Sequence, residues 1–239
     1  MKTIAVHGFM YDPDNVQGPN DPQAFFDEMS KVADQEVEGF GYYSVPFGFK
    51  SSAPFYSVYQ TIRAWAGSWV RLYPHPYRYA WDQAEKASLK LAEKINAESE
   101  PVNIMCHSLG SRVTIQALKF VSPEKINKVI IFNGAELVRN VVGLNNEIQK
   151  KILNIAVRTD DVLRFLGARF SGDRNGPTVG QMGVPGWNNI FLDDPLVQKE
   201  YKEQFGWDLR GDNPNSLFDH WYSFRFDGNA PLIKWWLNS

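Results

Sequence analysis

A single cysteine, Cys106, stands among the 239 residues, so no intramolecular disulfide can staple the chain. That fits a reducing compartment. Neither sign of charge dominates: 25 Lys and Arg face 27 Asp and Glu. Without a basic surplus or a polybasic stretch, the composition argues against nucleic acid as a partner and against attraction to an anionic membrane surface. No apolar run approaches the roughly eighteen residues of a membrane-spanning helix. The opening Met1-Lys2-Thr3-Ile4-Ala5-Val6-His7-Gly8 lacks a long apolar stretch with a cleavage site, so a soluble, cytoplasmic protein is expected. Histidine is scarce too, with His7, His75, His107 and His220 scattered along the chain and no Cys or His pair at metal-ligand spacing. No Gly-rich phosphate loop follows the first apolar run. Neither a metal nor a cofactor is therefore expected. Repeats, low-complexity tracts and Gly/Ser linkers are also lacking.

Apolar residues, at 44% of the chain, are numerous enough to fill the core of one large α/β domain or two small ones. Short apolar runs alternate with helical patterns. Strands are expected at Thr3–His7, Phe40–Val45, Val102–Cys106, Lys128–Phe132, Ile152–Val157 and Asn188–Leu192. A helix is expected over Asp21–Ala33, with Ala24, Phe25, Met29 and Val32 on one side. A second opens at Asp82, which can cap it with Glu85 three residues on, and Ala84, Ala87, Leu91 and Ile95 share a face. A third follows Cys106 and carries Val113, Ala117 and Phe120. This alternation implies one α/β domain over residues 1–239: a mostly parallel sheet of about six strands with helices on both faces. Two stretches break it. Residues 167–186 are rich in Gly. Residues 46–81 are long and aromatic, and Phe49 and Phe55 are candidates for contacting substrate. An insertion of this kind is a lid over a pocket or a cover for the sheet face.

The chemistry begins at His107-Ser108-Leu109-Gly110, where a buried strand runs straight into a helix with a serine at the corner. A nucleophile elbow needs this strained turn, and needs small residues two before and two after the serine so that strand and helix can approach. Gly110 meets the second requirement. Cys106 stands where glycine is usual. A serine that merely caps the helix is the plain alternative. Cys106 itself is a weaker candidate nucleophile, because a thiol inside an apolar strand has little thiolate character.

Acyl transfer also needs two fixed donors for the developing oxyanion. The N–H of Leu109, after the nucleophile, is one. The loop His7-Gly8-Phe9-Met10 offers the other, with Phe9 ahead of Met10. His7 is read as a brace for that loop. At the end of the fifth apolar run stand Asp160 and Asp161, of which one can orient a base histidine and one can cap the next helix. Asp219 is a rival acid. Among the histidines, His220 comes late, after the acids; His75 lies in the aromatic insertion, and His107 is expected to point away from the serine.

Together, His7-Gly8-Phe9, His107-Ser108-Leu109-Gly110-Ser111, Asp160-Asp161-Val162-Leu163 and Asp219-His220 resemble the α/β-hydrolase superfamily in its lipase and esterase-like branch. The resemblance implies a nucleophile after the third strand and a triad of Ser108, Asp160 and His220 in that chain order. It selects Asp160 over Asp161, since the family's acid tends to precede such an apolar pair by one intervening residue. It also implies a trimmed fold, without the two antiparallel strands that many members carry first. The leading expectation is a serine hydrolase acting on a small-molecule or lipid-like carboxylic ester through an acyl-enzyme. Thioester or amide hydrolysis by the same residues, and a non-catalytic ligand-binding member of the fold, remain the alternatives. Oligomeric state is not legible.

Overall fold

In the computed structural model of the chain, residues 1–9, 11, 21–44, 76–160, 162–163, 176–211 and 220–239 are described. Their strands are β1 (Thr3–Val6), β2 (Val37–Phe40), β3 (Val102–His107), β4 (Ile126–Phe132), β5 (Ile152–Ala156) and β6 (Asn188–Phe191). They form one six-stranded sheet in the order β2-β1-β3-β4-β5-β6, and every neighbouring pair is parallel. The longer helices are α1 (Gln23–Ala33), α2 (Pro76–Ala97), α3 (Gly110–Leu118), α4 (Pro195–Phe205) and α5 (Ala230–Asn238).

The period-two alternation of strand side chains sends apolar groups to both faces. Ile4, Val6, Ile104, Cys106, Val129 and Ile131 pack beneath α2 and α3. Ala5, Met105, Ile130, Phe132, Leu153 and Ile155 pack beneath α1 and α5. A parallel sheet covered on both faces follows, as the sequence implied. Among the described residues, no helix is long and apolar enough to cross a membrane.

Where the structure departs from the sequence reading, side-chain partners explain the change. The second strand lies at Val37–Phe40, not Phe40–Val45. Residues beyond Phe40 leave the sheet to brace the loop after β1: the Tyr42 N–H donates to His7 Nε2 at 3.0 Å and the Ser44 N–H donates to the Tyr11 carbonyl at 3.0 Å. Periodicity missed β2 because Glu38 and Gly39 interrupt its apolar character. Glu38 is held by Lys2 and Lys94. Gly39 is needed because a Cβ there would sit 2.3 Å from the Phe26 ring. That same packing brings Phe26 into the buried face of α1, whereas Ala24 is exposed rather than buried. Phe120, expected on the core side after the elbow, lies beyond α3 and is 60% exposed.

The second helix begins at Pro76 rather than Asp82. Proline is well tolerated in a first turn, where its missing N–H has no intrahelical acceptor to lose. Tyr77, Ala80 and Trp81 extend the buried stripe formed by Ala84, Ala87, Leu91 and Ile95. Residues 76–81 are therefore part of the scaffold, and at Tyr77 and Trp81 the aromatic stretch is core. Residues 45–75, including Phe49, Phe55 and His75, lie outside the described residues.

Sheet order places the site. From β1 the chain moves to β2 on one side, then returns past β1 to β3 on the other. This reversal puts α1 on one face and α2 on the opposite one. In open α/β sheets the crevice at such a reversal, outside the carboxyl ends of the strands, is where ligands bind. Here the strands on either side of the reversal are β1 and β3, whose exits are His7-Gly8-Phe9 and Ser108.

Candidate active site

Only Ser108 and Leu109 separate the end of β3 from the start of α3, so the chain must reverse within two residues. Ser108 accomplishes this in the left-handed region, with φ 53°. That conformation costs an L-residue about 1–2 kcal/mol and is sustained only where the surroundings over-determine it. Here they do. The Ser108 N–H donates to the Phe132 carbonyl at 3.0 Å. The Ser108 carbonyl accepts from the amides of Ser111 and Ala135, each at 3.0 Å, and from Ser111 Oγ at 2.7 Å. Gly110 permits the close approach of α3 to β1, since a Cβ there would lie 2.5 Å from the Val6 carbonyl oxygen and 2.6 Å from that of His7. Cys106 is buried in the apolar layer under α3. Its burial pushes the thiol up to about 12, which leaves it protonated and a poor nucleophile.

The loop after β1 abuts this elbow: a Cβ on Gly8 would come within 3.0 Å of Ser108 Cβ. His7 braces the loop. Because the Tyr42 N–H donates to Nε2, that nitrogen is bare, and the proton sits on Nδ1, which donates to the Gly8 carbonyl at 2.9 Å. The Tyr42 hydroxyl donates to the same carbonyl at 3.2 Å, and the two rings stack with centroids 4.4 Å apart. Complete burial drives the His7 pKa down to about 4. Phe9 is half-buried and packs edge-on against Tyr77 of α2, with centroids 5.5 Å apart. Leu109 is wholly buried and precedes α3, where first-turn amides lack intrahelical acceptors. The amides of Phe9 and Leu109 make no hydrogen bond to any described residue.

Asp160 follows β5 by four residues and His220 opens the segment before the short helix Tyr222–Arg225. The two side chains meet at 2.6 Å between His220 Nδ1 and Asp160 Oδ2, and each residue is only 2% exposed. A carboxylate oxygen accepts, so Nδ1 carries the proton and, in the neutral ring, Nε2 is free to take one. Asp160 Oδ1 also accepts the Leu163 N–H at 3.2 Å. Asp160 thus accepts a main-chain N–H three residues on, in the manner of a helix cap, while it also meets His220.

Two residues at this edge were missed from sequence. His107 does not simply turn away: its Nε2 donates to the His220 carbonyl at 3.0 Å, and the two rings lie 4.5 Å apart. Asn133, immediately after β4, donates from Nδ2 to the same carbonyl at 2.8 Å and accepts the Val157 N–H on Oδ1 at 2.9 Å. Asn133 is left-handed, with φ 44°. An Asn at a strand exit is a weak hint of such a turn, but its partners come from distant segments and leave no local trace.

Beneath the elbow lies a third unforeseen group. Glu136 is completely buried and its carboxylate accepts from Arg112, Gln116, Asn140 and the Leu137 amide. Arg112 also bonds Glu85 and the Trp81 carbonyl. Ser111 Oγ accepts the Glu136 N–H at 2.9 Å while donating to Ser108, so the network reaches the serine's main chain. A buried charge so fully satisfied fixes geometry rather than adding much net stability.

Met10, Asp161 and Asp219 lie outside the described residues. Ser108, Asp160, His220, Phe9 and Leu109 all gather at the carboxyl edge of the sheet. The sequence matches no protein-family model and no curated protein. Among solved structures, one that is similar is a Trichoderma reesei cutinase in complex with a C11Y4 phosphonate inhibitor, 13% identical over 73% of this chain and 71% of that one, with a TM-score of 0.33. That is a loose likeness of outline and carries nothing about chemistry. What the chain's own structure shows is an α/β fold, with six parallel strands between two helical layers and a left-handed serine at the exit of the third strand.

Proposed function

We propose that the protein is a serine hydrolase that cleaves a carboxylic ester through an acyl-enzyme on Ser108. The observation that carries this reading is the buried His220–Asp160 hydrogen bond of 2.6 Å at the same sheet edge as a serine held in a left-handed turn. A strained serine alone is ambiguous. A strained serine together with an oriented imidazole is the combination that acyl transfer requires.

In this reading Ser108 Oγ attacks the ester carbonyl carbon while His220 Nε2 takes the hydroxyl proton. The carbonyl oxygen becomes an oxyanion held by the amides of Phe9 and Leu109. Collapse expels the alkoxide, which leaves with the proton from His220. Water then attacks the acyl-enzyme with His220 again as base, and Ser108 is regenerated. Asp160 keeps the proton on Nδ1 and stabilises the imidazolium in both halves. The expected substrate is a small-molecule or lipid-like ester.

A fluorophosphonate probe followed by peptide mapping tests the assignment. Wild type should be labelled at Ser108. Ser108→Ala should remain folded, resist labelling and lose on the order of a million-fold in turnover of p-nitrophenyl esters. Cys106→Ala should stay within about tenfold of wild type, because a buried neutral thiol takes no part. Absence of labelling in folded wild type would instead favour a ligand-binding role.

A further inference from the structure

We propose that His107 and Asn133 are positioning residues that hold the main chain of His220 in register with Ser108. The inference rests on the reading of Ser108 and His220 as the reacting pair. It concerns what keeps them together.

The His220 carbonyl is the meeting point. It accepts from His107 Nε2 at 3.0 Å and from Asn133 Nδ2 at 2.8 Å. Both donors are buried, His107 to 1% and Asn133 to 0% exposure. His107 immediately precedes Ser108, so its ring joins the turn that carries the nucleophile to the segment that carries the base. Asn133 joins that same segment to the acid. Its Oδ1 accepts the Val157 N–H at 2.9 Å, and the Val157 carbonyl in turn accepts the Asp160 N–H at 3.2 Å. Its Nδ2 also lies 3.3 Å from Ser223 Oγ, in the short helix after His220. Three segments far apart in sequence are thereby tied within one hydrogen-bonded cluster, and Ser108, Asp160 and His220 each lie on one of them.

The state of the His107 ring supports a dedicated role. A carbonyl oxygen only accepts, so Nε2 must carry the proton and Nδ1 must be bare. Nδ1 is buried and, among the described residues, has no hydrogen-bond partner. The ring is wedged against Phe224, with centroids 5.0 Å apart, and Phe25, at 6.2 Å. An aromatic hydrocarbon would fill such a place without leaving a polar atom unpaired. What the imidazole adds is a single donor, aimed at His220.

The test compares His107→Gln, which carries an N–H near the position of Nε2, with His107→Met, which fills similar space without a donor. Two readouts are taken. One is kcat and KM for p-nitrophenyl acetate. The other is the downfield proton resonance of His220 Nδ1–H against Asp160 in 15N-histidine-labelled protein, which reports the 2.6 Å bond without requiring turnover. His107→Gln should keep the resonance and a kcat within about tenfold of wild type. His107→Met should fold, lose about a hundredfold in kcat at similar KM, and lose the resonance, since displacement of a reacting group by about 1 Å has an effect of that size. Equal impairment of both variants, or an intact resonance and kcat in His107→Met, overturns the proposal. Should His107→Met fail to fold, Asn133→Gly asks the same question. Glycine accepts the left-handed conformation and removes the donor, so a loss of about a hundredfold in kcat together with loss of the resonance is again expected, and its absence overturns the proposal. If wild type hydrolyses no ester, but the resonance is kept by His107→Gln and abolished by His107→Met, the positioning role stands and the catalytic reading falls.

Discussion

At Ser108 the requirements of folding and of the proposed chemistry oppose each other. The left-handed φ of 53° is unfavourable for serine and equally so for alanine, because the penalty arises at Cβ. Glycine escapes it. Ser108→Gly should therefore be at least as stable as Ser108→Ala, and by up to about 1 kcal/mol more so, reversing the usual 0.4–1 kcal/mol deficit of glycine. Thermal melts of the two variants compare them directly, and a clear advantage for alanine would show that the turn is not left-handed in solution. Asp160 carries two duties on separate oxygens, one toward His220 and one toward the Leu163 amide. Asp160→Asn can keep the second through its carbonyl while presenting an N–H to His220 Nδ1. The imidazole must then adopt the wrong tautomer, and turnover should drop roughly ten-thousand-fold with little change in melting temperature. Ser108 was readable from its neighbours, because elbow chemistry is local. Asn133 and His107 were not, because their partners lie 87 and 113 residues away.

Among the elements, the contact of α3 with β1 governs the site. Gly110 lets the helix start directly over the Val6 and His7 carbonyls. Gly110→Ala would drive a methyl group into backbone that cannot yield without moving β1, and with it the His7–Phe9 loop. The expected outcome is a loss of several degrees in melting temperature together with weakened labelling of Ser108 by the fluorophosphonate; retention of both would mean that the approach is looser than 2.5 Å. The side chain of Cys106 enters the apolar layer below α3. The buried strands and the regular part of α2 were legible from periodicity. Their ends were not. The second strand was drawn too late because its only glycine and its glutamate are explained by Phe26, Lys2 and Lys94, none of them adjacent. The start of α2 was drawn too late because Tyr77 and Trp81 sit in an aromatic-rich run that looked like an insertion, yet they continue the helix's buried stripe.

For the molecule as a whole, buried histidine makes stability depend on acidity. His7 is neutral in the fold, with its pKa lowered to about 4, whereas in the unfolded chain it takes up a proton near its ordinary value. His107 is shifted the same way by burial and by the neighbouring His220. Between the two pKa values the unfolded state binds more protons, so stability rises with pH there and falls as pH is lowered below about 6.5. His7 alone should cost about 2 kcal/mol on going from pH 7 to pH 5, and urea titrations at both values would detect it. No loss of stability over that interval would mean that the Tyr42 amide does not hold His7 Nε2 in solution. The sequence by itself determined the fold class, the alternation of strands and helices, the serine at its turn and the chain order of serine, acid and histidine. Each is written in local spacing, because periodicity and turn chemistry act over a few residues. The strand order, the reversal of that order between β1 and β3, and the meeting of His220 with Asp160, His107 and Asn133 were decided only in three dimensions. Those pairings join residues far apart in the chain, and they form because burying both faces of the sheet brings the segments to one edge, where polar groups deprived of water must find one another.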